Sequence, residues 1–219
     1  MKINQELQQY IESDILPCYD HHDAAHRRDH ALTVIEQSMA IVENLQREGQ
    51  DINDNMAYAI AAFHDTGLCQ GRDIHHLASG RIIRDDEHLK RWFTPEQIET
   101  MAQAAEDHRA SARQEPRSIY GRIVAEADRV IDPEVIVRRT IQYGLDHYPE
   151  LSPQEHYLRM VAHLKEKYGY GGYLRLYFPH SPNAIRLAEL RQLIQNENAL
   201  EILFRKIFTR LTAGSASHD

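Results

Sequence analysis

The stretch Ala61-Ala62-Phe63-His64-Asp65-Thr66-Gly67 is the centre of the predicted fold, because an apolar, alanine-rich helical run ends there in two polar side chains. A neutral imidazole and a carboxylate at the end of a buried helix would lose hydration, and a shared metal ion would compensate for that loss. Neighbouring helical residues point about 100° apart, so His64 and Asp65 reach one ion most easily near a helix end. Gly67 fits the position after the last turn.

The composition of the 219 residues, with 42% hydrophobic and 26% charged residues, is typical of a soluble globular protein. The net charge of −8 argues against a nucleic-acid backbone or an anionic membrane as the main partner. No apolar run approaches the about 20 residues that a membrane span needs, and the first residues lack the apolar core of a secretory signal. Cys18 and Cys69 are too few for a disulfide framework. These features predict a cytoplasmic protein.

The hydrophobic periodicity is helical nearly throughout, which predicts an all-α chain. A first amphipathic helix is expected over residues 2–16, stopped by Pro17, and a second runs from Asp29 to about Arg47. Another is expected to begin near His75 and to end near Leu89. Further helix starts pair a capping residue with proline: Thr94-Pro95, Asp132-Pro133 and Ser152-Pro153. The remaining helices are predicted over residues 119–131, 182–195 and 196–212.

The chain contains 14 histidines, which is unusually many, and we expect several of them to be surface residues. Those predicted to be exposed are His21, His22, His26, His147, His156 and His180. His30 stands in the opening turns of the helix that begins at Asp29, at the edge of its buried stripe. Asp128 follows a run of small apolar residues, where a carboxylate rarely stays unpaired. Taken alone, Asp128 could equally form a salt bridge with Arg129 or Arg122.

Taken together, His30, the His64-Asp65 pair and Asp128 resemble the HD superfamily of metal-dependent phosphohydrolases, which is named for such a pattern. The local contexts Asp29-His30 and Glu126-Ala-Asp-Arg129 agree as well. The resemblance implies an HD-domain-like helical bundle with additional C-terminal helices. It covers about residues 25–132 as the metal-binding core, and about 133–212 would be a helical extension within one domain spanning 1–219. It also implies that four residues bind one metal: His30, His64, Asp65 and Asp128.

A second group of candidates lies in the middle of the chain, where several HD proteins place histidines. In some of them these histidines bind a second metal, bridged through the aspartate that corresponds to Asp65, and in others they contact phosphate. The candidates here are His75, His76, His108 and Arg109. Which of His75 and His76 faces the site stays open, and the small residues Ser79-Gly80 favour His75 slightly. The alternative is that these histidines mark only a helix start and a polar helix face.

Two imidazoles and two carboxylates form a mixed nitrogen and oxygen site. Such a site suits manganese, iron, cobalt, nickel or zinc, whereas magnesium, which is also considered, prefers mostly oxygen. The resemblance implies a metal-activated water that cleaves a phosphate mono- or diester of a small soluble substrate, such as a nucleotide. Asp65, Arg129 and Lys167 are the predicted catalytic residues. Glu106 or Asp107 would accept a proton or orient a ligand histidine.

Two other functions fit the same residues. A few proteins with an HD-like fold hold two irons and use dioxygen to cleave C–C or C–P bonds, and their ligand order (His, His-Asp, His, His, Asp) can be drawn in this chain. A non-catalytic regulator that binds a nucleotide at the same site is the other alternative. The sequence does not identify the substrate, the number of metals or the oligomeric state.

Overall fold

The computed structural model describes residues 2–21, 27–109, 114–129 and 131–215. Within these ranges every regular element is a helix, so the prediction of an all-α fold is confirmed. The chain forms two compact units. The first unit contains Met1–Arg129 and Tyr177–Pro182, and the second unit contains Val130–Leu176 and Asn183–Asp219.

The first unit is built around one buried helix. Its α-helices are α1 (Gln5–Tyr10), α2 (Arg28–Arg47), α3 (Asp54–Phe63), α4 (His75–Asp85), α5 (Pro95–Asp107) and α6 (Ile119–Ala127). Helix α3 packs against α2, α5 and α6, and every residue from Met56 to Phe63 is buried. The alanines in this run let neighbouring helices approach on several sides, which explains why α3 lacks a polar face. Its polar residues lie at its two ends, in the first turn and at His64, which is the C-terminal cap.

Two helices of the first unit begin with a side-chain cap. Helix α3 is capped by Asn53, because the Asn53 side chain accepts hydrogen bonds from the backbone of the first turn. Helix α5 begins with the predicted capping box, in which Thr94 and Gln97 bond reciprocally to each other's backbone N–H. These caps fix where α3 and α5 begin.

The predicted stop at Pro17 is wrong. Helix α1 continues into a π-helical turn, Ile11–Ile15, and then into a 3-10 helix, Leu16–His21. Pro17 lies in the first turn of this 3-10 helix, where its missing N–H leaves no helical hydrogen bond unmade. The helical chain therefore reaches Tyr19, which is completely buried.

The helix that begins at His75 ends earlier than predicted. Helix α4 stops at Asp85, and Asp86 has an extended backbone conformation. The Asp86 side chain accepts hydrogen bonds from the backbone of His88 and Leu89, at 2.8 and 3.3 Å. This local bond starts a new turn and competes with continuation of the helix.

The second unit has its own apolar core. Its helices are α7 (Pro133–His147), α8 (Pro153–Tyr168), α9 (Pro182–Gln195) and α10 (Glu197–Ser215). Helix α7 packs against α8 and α10. Asp132 and Ser152 cap α7 and α8 as the sequence predicts. Among the described residues, no helix is both long and apolar enough to cross a bilayer.

The predicted exposure of His156 is wrong. Its side chain is buried between α7 and α8, where a Cβ added to Gly144 would lie 2.9 Å from His156 Nδ1. The glycine therefore makes room for the imidazole, and this packing explains the burial. His21, His147 and His180 are exposed as predicted, whereas His22 and His26 lie outside the described residues.

Candidate metal centre

The end of α3 places His64 and Asp65 in the interior of the first unit. The His64 side chain is 0% exposed and that of Asp65 is 4% exposed. His64 Nδ1 donates a hydrogen bond to the Ala61 carbonyl at 2.7 Å, three residues upstream. This bond places the Nδ1 proton on the carbonyl side and aims Nε2 at the carboxylates, where a metal ion could replace its proton.

Four side chains, Asp65 among them, converge at the end of α3. His30 from α2 and Asp128 from the end of α6 join His64 and Asp65 there. His30 Nε2 lies 3.0 Å from Asp128 Oδ1, 3.7 Å from Asp65 Oδ2 and 3.4 Å from His64 Nε2. His64 Nε2 lies 3.4 Å from Asp65 Oδ2 and 3.8 Å from Asp128 Oδ1. Residues far apart in the sequence thus contribute two imidazole nitrogens and two carboxylate oxygens to one place.

The other oxygen of Asp65 faces a second pair of imidazoles. His75 Nε2 and His108 Nε2 each lie 3.4 Å from Asp65 Oδ1, and they are 3.2 Å from each other. Nδ1 of His75 bonds to the Arg72 carbonyl at 2.6 Å, and Nδ1 of His108 bonds to the Ala105 carbonyl at 2.5 Å. Both carbonyls lie three residues upstream, as in His64, so the three rings are oriented by the same device.

The structure brings together His75 and Asp65, and it places His76 outside this cluster. The His76 ring packs edge-on against His75, with their centroids 5.5 Å apart. Within the described residues, the second cluster of ligand atoms consists of Asp65, His75 and His108. Of the two adjacent histidines, His75 therefore faces Asp65 and His76 does not.

The spacing of these atoms fits divalent metal ions. Ligands about 2.1 Å from an ion lie about 3.0 Å apart in an octahedron and about 3.4 Å apart in a tetrahedron. The ligand atoms of His30, His64 and Asp65 (Oδ2) lie 3.4 to 3.7 Å from one another, and those of His75, His108 and Asp65 (Oδ1) lie 3.2 to 3.4 Å from one another. Asp128 Oδ1 adjoins the first group at 3.0 Å from His30 and 3.8 Å from His64. Nε2 of His75 and of His108 also face each other with their lone pairs, because both Nδ1 atoms donate to carbonyls. Such an arrangement is unfavourable without a cation between the two nitrogens.

Electrostatics in the centre favour positive charge. Burial lowers the pKa of His64, but the carboxylates of Asp65 and Asp128 outweigh it and raise that pKa to about 9. Burial raises the pKa of Asp65, yet the imidazoles of His64 and His108 bring it well below its usual range. The pKa of Asp128 is also lowered, against the effect of burial, by its bond to His30. A metal ion would take the place of the shared protons.

The predicted cationic residues make other contacts. An Arg109 guanidinium nitrogen donates to the Asp73 carbonyl at 2.8 Å, which connects the residue after His108 to the loop before His75. The Arg129 guanidinium lies 5.4 Å from the centre of the Tyr177 ring. Lys167 belongs to the second unit, where its ammonium lies 5.2 Å from the centre of the Tyr168 ring. Contact of these three groups with substrate stays a prediction.

The acidic residues before His108 are paired with arginines. Glu106 bonds to Arg84 at 2.6 Å and to Arg117 at 2.7 Å. Asp107 accepts from the Arg117 backbone at 2.8 Å and from its side chain at 3.0 Å. For His64, His75 and His108, backbone carbonyls perform the orienting role that the sequence suggested for Glu106 or Asp107.

Gly67 has a different role from the one predicted. The glycines with a positive φ among the described residues are Gly49 and Gly71, so Gly67 is not required for a left-handed cap. A Cβ on Gly67 would lie 2.2 Å from the His75 carbonyl oxygen and 2.5 Å from the Ser79 nitrogen. Its N–H also donates to Ser79 Oγ at 2.9 Å. The glycine therefore lets α4 approach the loop after Asp65, and this approach brings His75 to the site.

Comparison with known families agrees with this geometry. Residues 27–131 match the family model of the HD domain, and this range contains all six converging side chains. Residues 27–131 therefore form an HD domain, as the residue pattern indicated, and the HD family consists generally of metal-dependent hydrolases. Comparison with curated proteins and with solved structures gave no match.

Proposed function

We propose that this protein hydrolyses a phosphate mono- or diester of a small soluble substrate, and that nucleotides are the substrate class. The observation that carries the proposal is the convergence of His30, His64, Asp65 and Asp128 in an HD domain. These four residues would hold one divalent ion. His75 and His108, together with the second oxygen of Asp65, would hold another.

The donor set supports a transition metal. Imidazole nitrogen suits manganese, iron, cobalt, nickel and zinc, whereas calcium and magnesium prefer oxygen ligands. A divalent ion bound here supplies Lewis acidity, which lowers the pKa of a water molecule toward about 7 and polarises a phosphoryl oxygen. We infer that the centre is not a structural zinc site, since no thiol belongs to either cluster of ligand atoms in the described part of the chain.

The residues of the chain prepare the site for this chemistry before any substrate binds. The Nδ1 protons of His64, His75 and His108 are all committed to backbone carbonyls, so these rings are held in one orientation. Such preorganisation lowers the cost of binding an ion and of aligning a substrate. Arg129, directly after Asp128, is proposed to offset the phosphate charge.

A di-iron oxygenase is the second candidate, and the shared carboxylate supports it. Asp65 presents one oxygen to each histidine pair, as an aspartate that bridges two irons would. The protein as purified would then contain two irons per chain, show a mixed-valence signal and take up oxygen. A site that binds metal and nucleotide without any turnover would instead support the regulator.

Elemental analysis combined with a phosphatase screen tests the proposal. The wild type is expected to carry at least one divalent transition metal per chain and to release phosphate from members of a panel of nucleotides and sugar phosphates. The His30→Ala variant is expected to lose most metal and turnover, because a ligand nitrogen is removed. The His180→Ala variant removes an exposed histidine of the same unit and is the matched control. Full metal content and turnover in His30→Ala would refute the proposed ligation.

A further inference from the structure

Tyr19 lies outside the part of the chain that matches the HD family, yet it reaches the centre of the site. The 3-10 helix Leu16–His21 that carries it ends before residue 27, where the family match begins. The Tyr19 side chain is 0% exposed, and the centre of its ring lies 6.3 Å from that of His64. The segment before α2 is therefore in direct contact with the residues that carry the proposed ligands.

The end of α3 explains why a hydroxyl group is needed at this place. The last carbonyls of a helix have no helical partner, and three consecutive ones here each accept a bond from a different side chain. Ala61 accepts from His64 at 2.7 Å, and Phe63 accepts from Thr66 at 2.7 Å. Both donors belong to the turn itself. The carbonyl between them, of Ala62, accepts from the Tyr19 hydroxyl at 2.9 Å, which is supplied by a distant segment.

The same hydroxyl also accepts a hydrogen bond from the backbone N–H of Asp65, at 3.2 Å. Tyr19 thus contacts the backbone on both sides of His64 and uses its oxygen as donor and acceptor at once. Asp65 has left the helical conformation, with φ −112° and ψ 7°. Its carboxylate orientation therefore depends on what holds its peptide group, and the Tyr19 hydroxyl holds it.

We propose that Tyr19 is a positioning residue of the metal centre, whose hydroxyl sets the orientation of the shared Asp65 carboxylate. The inference rests on the proposed function and adds the segment before α2 to the machinery of the site. Removing the hydroxyl leaves the Ala62 carbonyl and the Asp65 N–H buried without this partner. The turn then gains freedom to rotate, and the two oxygens of Asp65 no longer face both histidine pairs in a fixed geometry.

The test is the affinity for Mn2+ alone, measured by calorimetry on chelator-treated protein, for the wild type and the Tyr19→Phe variant. The expected loss in Tyr19→Phe is about 10- to 100-fold in affinity, as for other residues that orient metal ligands. Tyr58→Phe is the matched control, because Tyr58 is another buried tyrosine of the first unit and its hydroxyl makes none of the hydrogen bonds described at the turn. It is expected to bind Mn2+ as the wild type does.

A rescue variant separates positioning from general packing. Tyr19→4-aminophenylalanine keeps a donor and an acceptor on the ring and is expected to restore wild-type affinity. It also serves if Tyr19→Phe folds poorly. Equal Mn2+ affinity in folded Tyr19→Phe and wild type would overturn the inference alone, as would failure of the folded rescue variant to bind. A wild type that binds no metal would instead overturn the proposed function, and the role of Tyr19 with it.

Discussion

The two units of this protein treat a buried histidine differently. His64 and His108 in the first unit and His156 in the second unit are 0%, 2% and 2% exposed. The first two rings donate from Nδ1 to a carbonyl three residues upstream and face Asp65 with Nε2. Nδ1 of His156 has no hydrogen-bond partner within the described residues. No ion pair of His156 with a carboxylate is found there either.

The difference shows that burial alone does not make a histidine a metal ligand. A ligand ring needs one nitrogen fixed by a second group and the other aimed at an anionic partner. His156 has a cation, Arg159, as its neighbour on α8, and this positive charge would repel a metal ion. The groups that surround each ring therefore separate His64 and His108 from His156. Three experiments test this difference, in order of decreasing expected effect.

Removing the shared carboxylate should have the largest effect. The Asp65→Ala variant loses one oxygen from each histidine group, so we expect metal content near zero and turnover reduced by about 10³-fold or more. A bound ion contributes several kcal/mol to transition-state stabilisation, and about 4 kcal/mol corresponds to this factor. Elemental analysis and initial rates measure both effects.

The matched control for this experiment is Asp73→Ala. Asp73 is an exposed aspartate in the loop before His75, and the contact it makes with Arg109 uses its backbone carbonyl, which the substitution retains. We expect wild-type metal content. If Asp65→Ala kept half of the metal or more, the two histidine pairs would not share this carboxylate. An anionic partner would then not distinguish the histidines of the first unit from His156.

Much of the first unit could be predicted from the sequence, because its signals are local. The alanine run before His64 predicts a buried helix, and Thr94-Pro95 predicts a helix start, since a cap and a proline act within one turn. The order of His30, His64-Asp65 and Asp128 indicated the HD superfamily, which the family match confirms. Their convergence in the structure agrees with the same pattern.

The remaining features depend on contacts between distant segments. The sequence favoured His75 over the adjacent His76 only slightly, because the choice follows from how closely α4 approaches Gly67. Tyr19 gave no signal, since its partners at the end of α3 lie more than 40 residues away. His156 was misjudged because the small residue opposite it, Gly144, belongs to another helix.

Replacing one histidine of the second pair should have an intermediate effect. Because His108 Nε2 faces Asp65 Oδ1, we expect the His108→Ala variant to bind one metal ion fewer per chain than the wild type. Turnover should fall by about 10- to 100-fold, as when a group that orients or assists a metal site is lost. Metal titration followed by elemental analysis gives the stoichiometry.

His76→Ala is the matched control for the second pair, since His76 adjoins His75 and belongs to neither cluster of ligand atoms in the described residues. It should keep the wild-type stoichiometry. The reverse outcome, a loss of metal in His76→Ala and none in His108→Ala, would show that the ring facing Asp65 is not the ligand. The orientation of Nδ1 would then fail as the criterion that separates ligand histidines from His156.

The smallest effect is expected at His156, where it appears as pH dependence of stability. Burial, and then the charge of Arg159, lowers the pKa of this ring in the folded protein, although Glu150 and Glu155 act in the opposite direction. The unfolded chain therefore binds a proton more readily, so the stability contributed by the neutral ring is full above pH about 6.5 and is lost as the pH falls below it. The loss cannot exceed about 1.4 kcal/mol for each pH unit.

The test compares thermal midpoints at about pH 7.5 and 5.5, on either side of the pKa of an unperturbed histidine. Between these values the thermal midpoint of His156→Leu should fall less than that of the wild type. The control is a volume-conserving change on the same helix, Met160→Leu, which should shift the midpoint equally at both pH values. An equal pH response in His156→Leu and wild type would contradict the prediction, because this buried ring would then take up its proton as readily in the folded protein as in the unfolded chain.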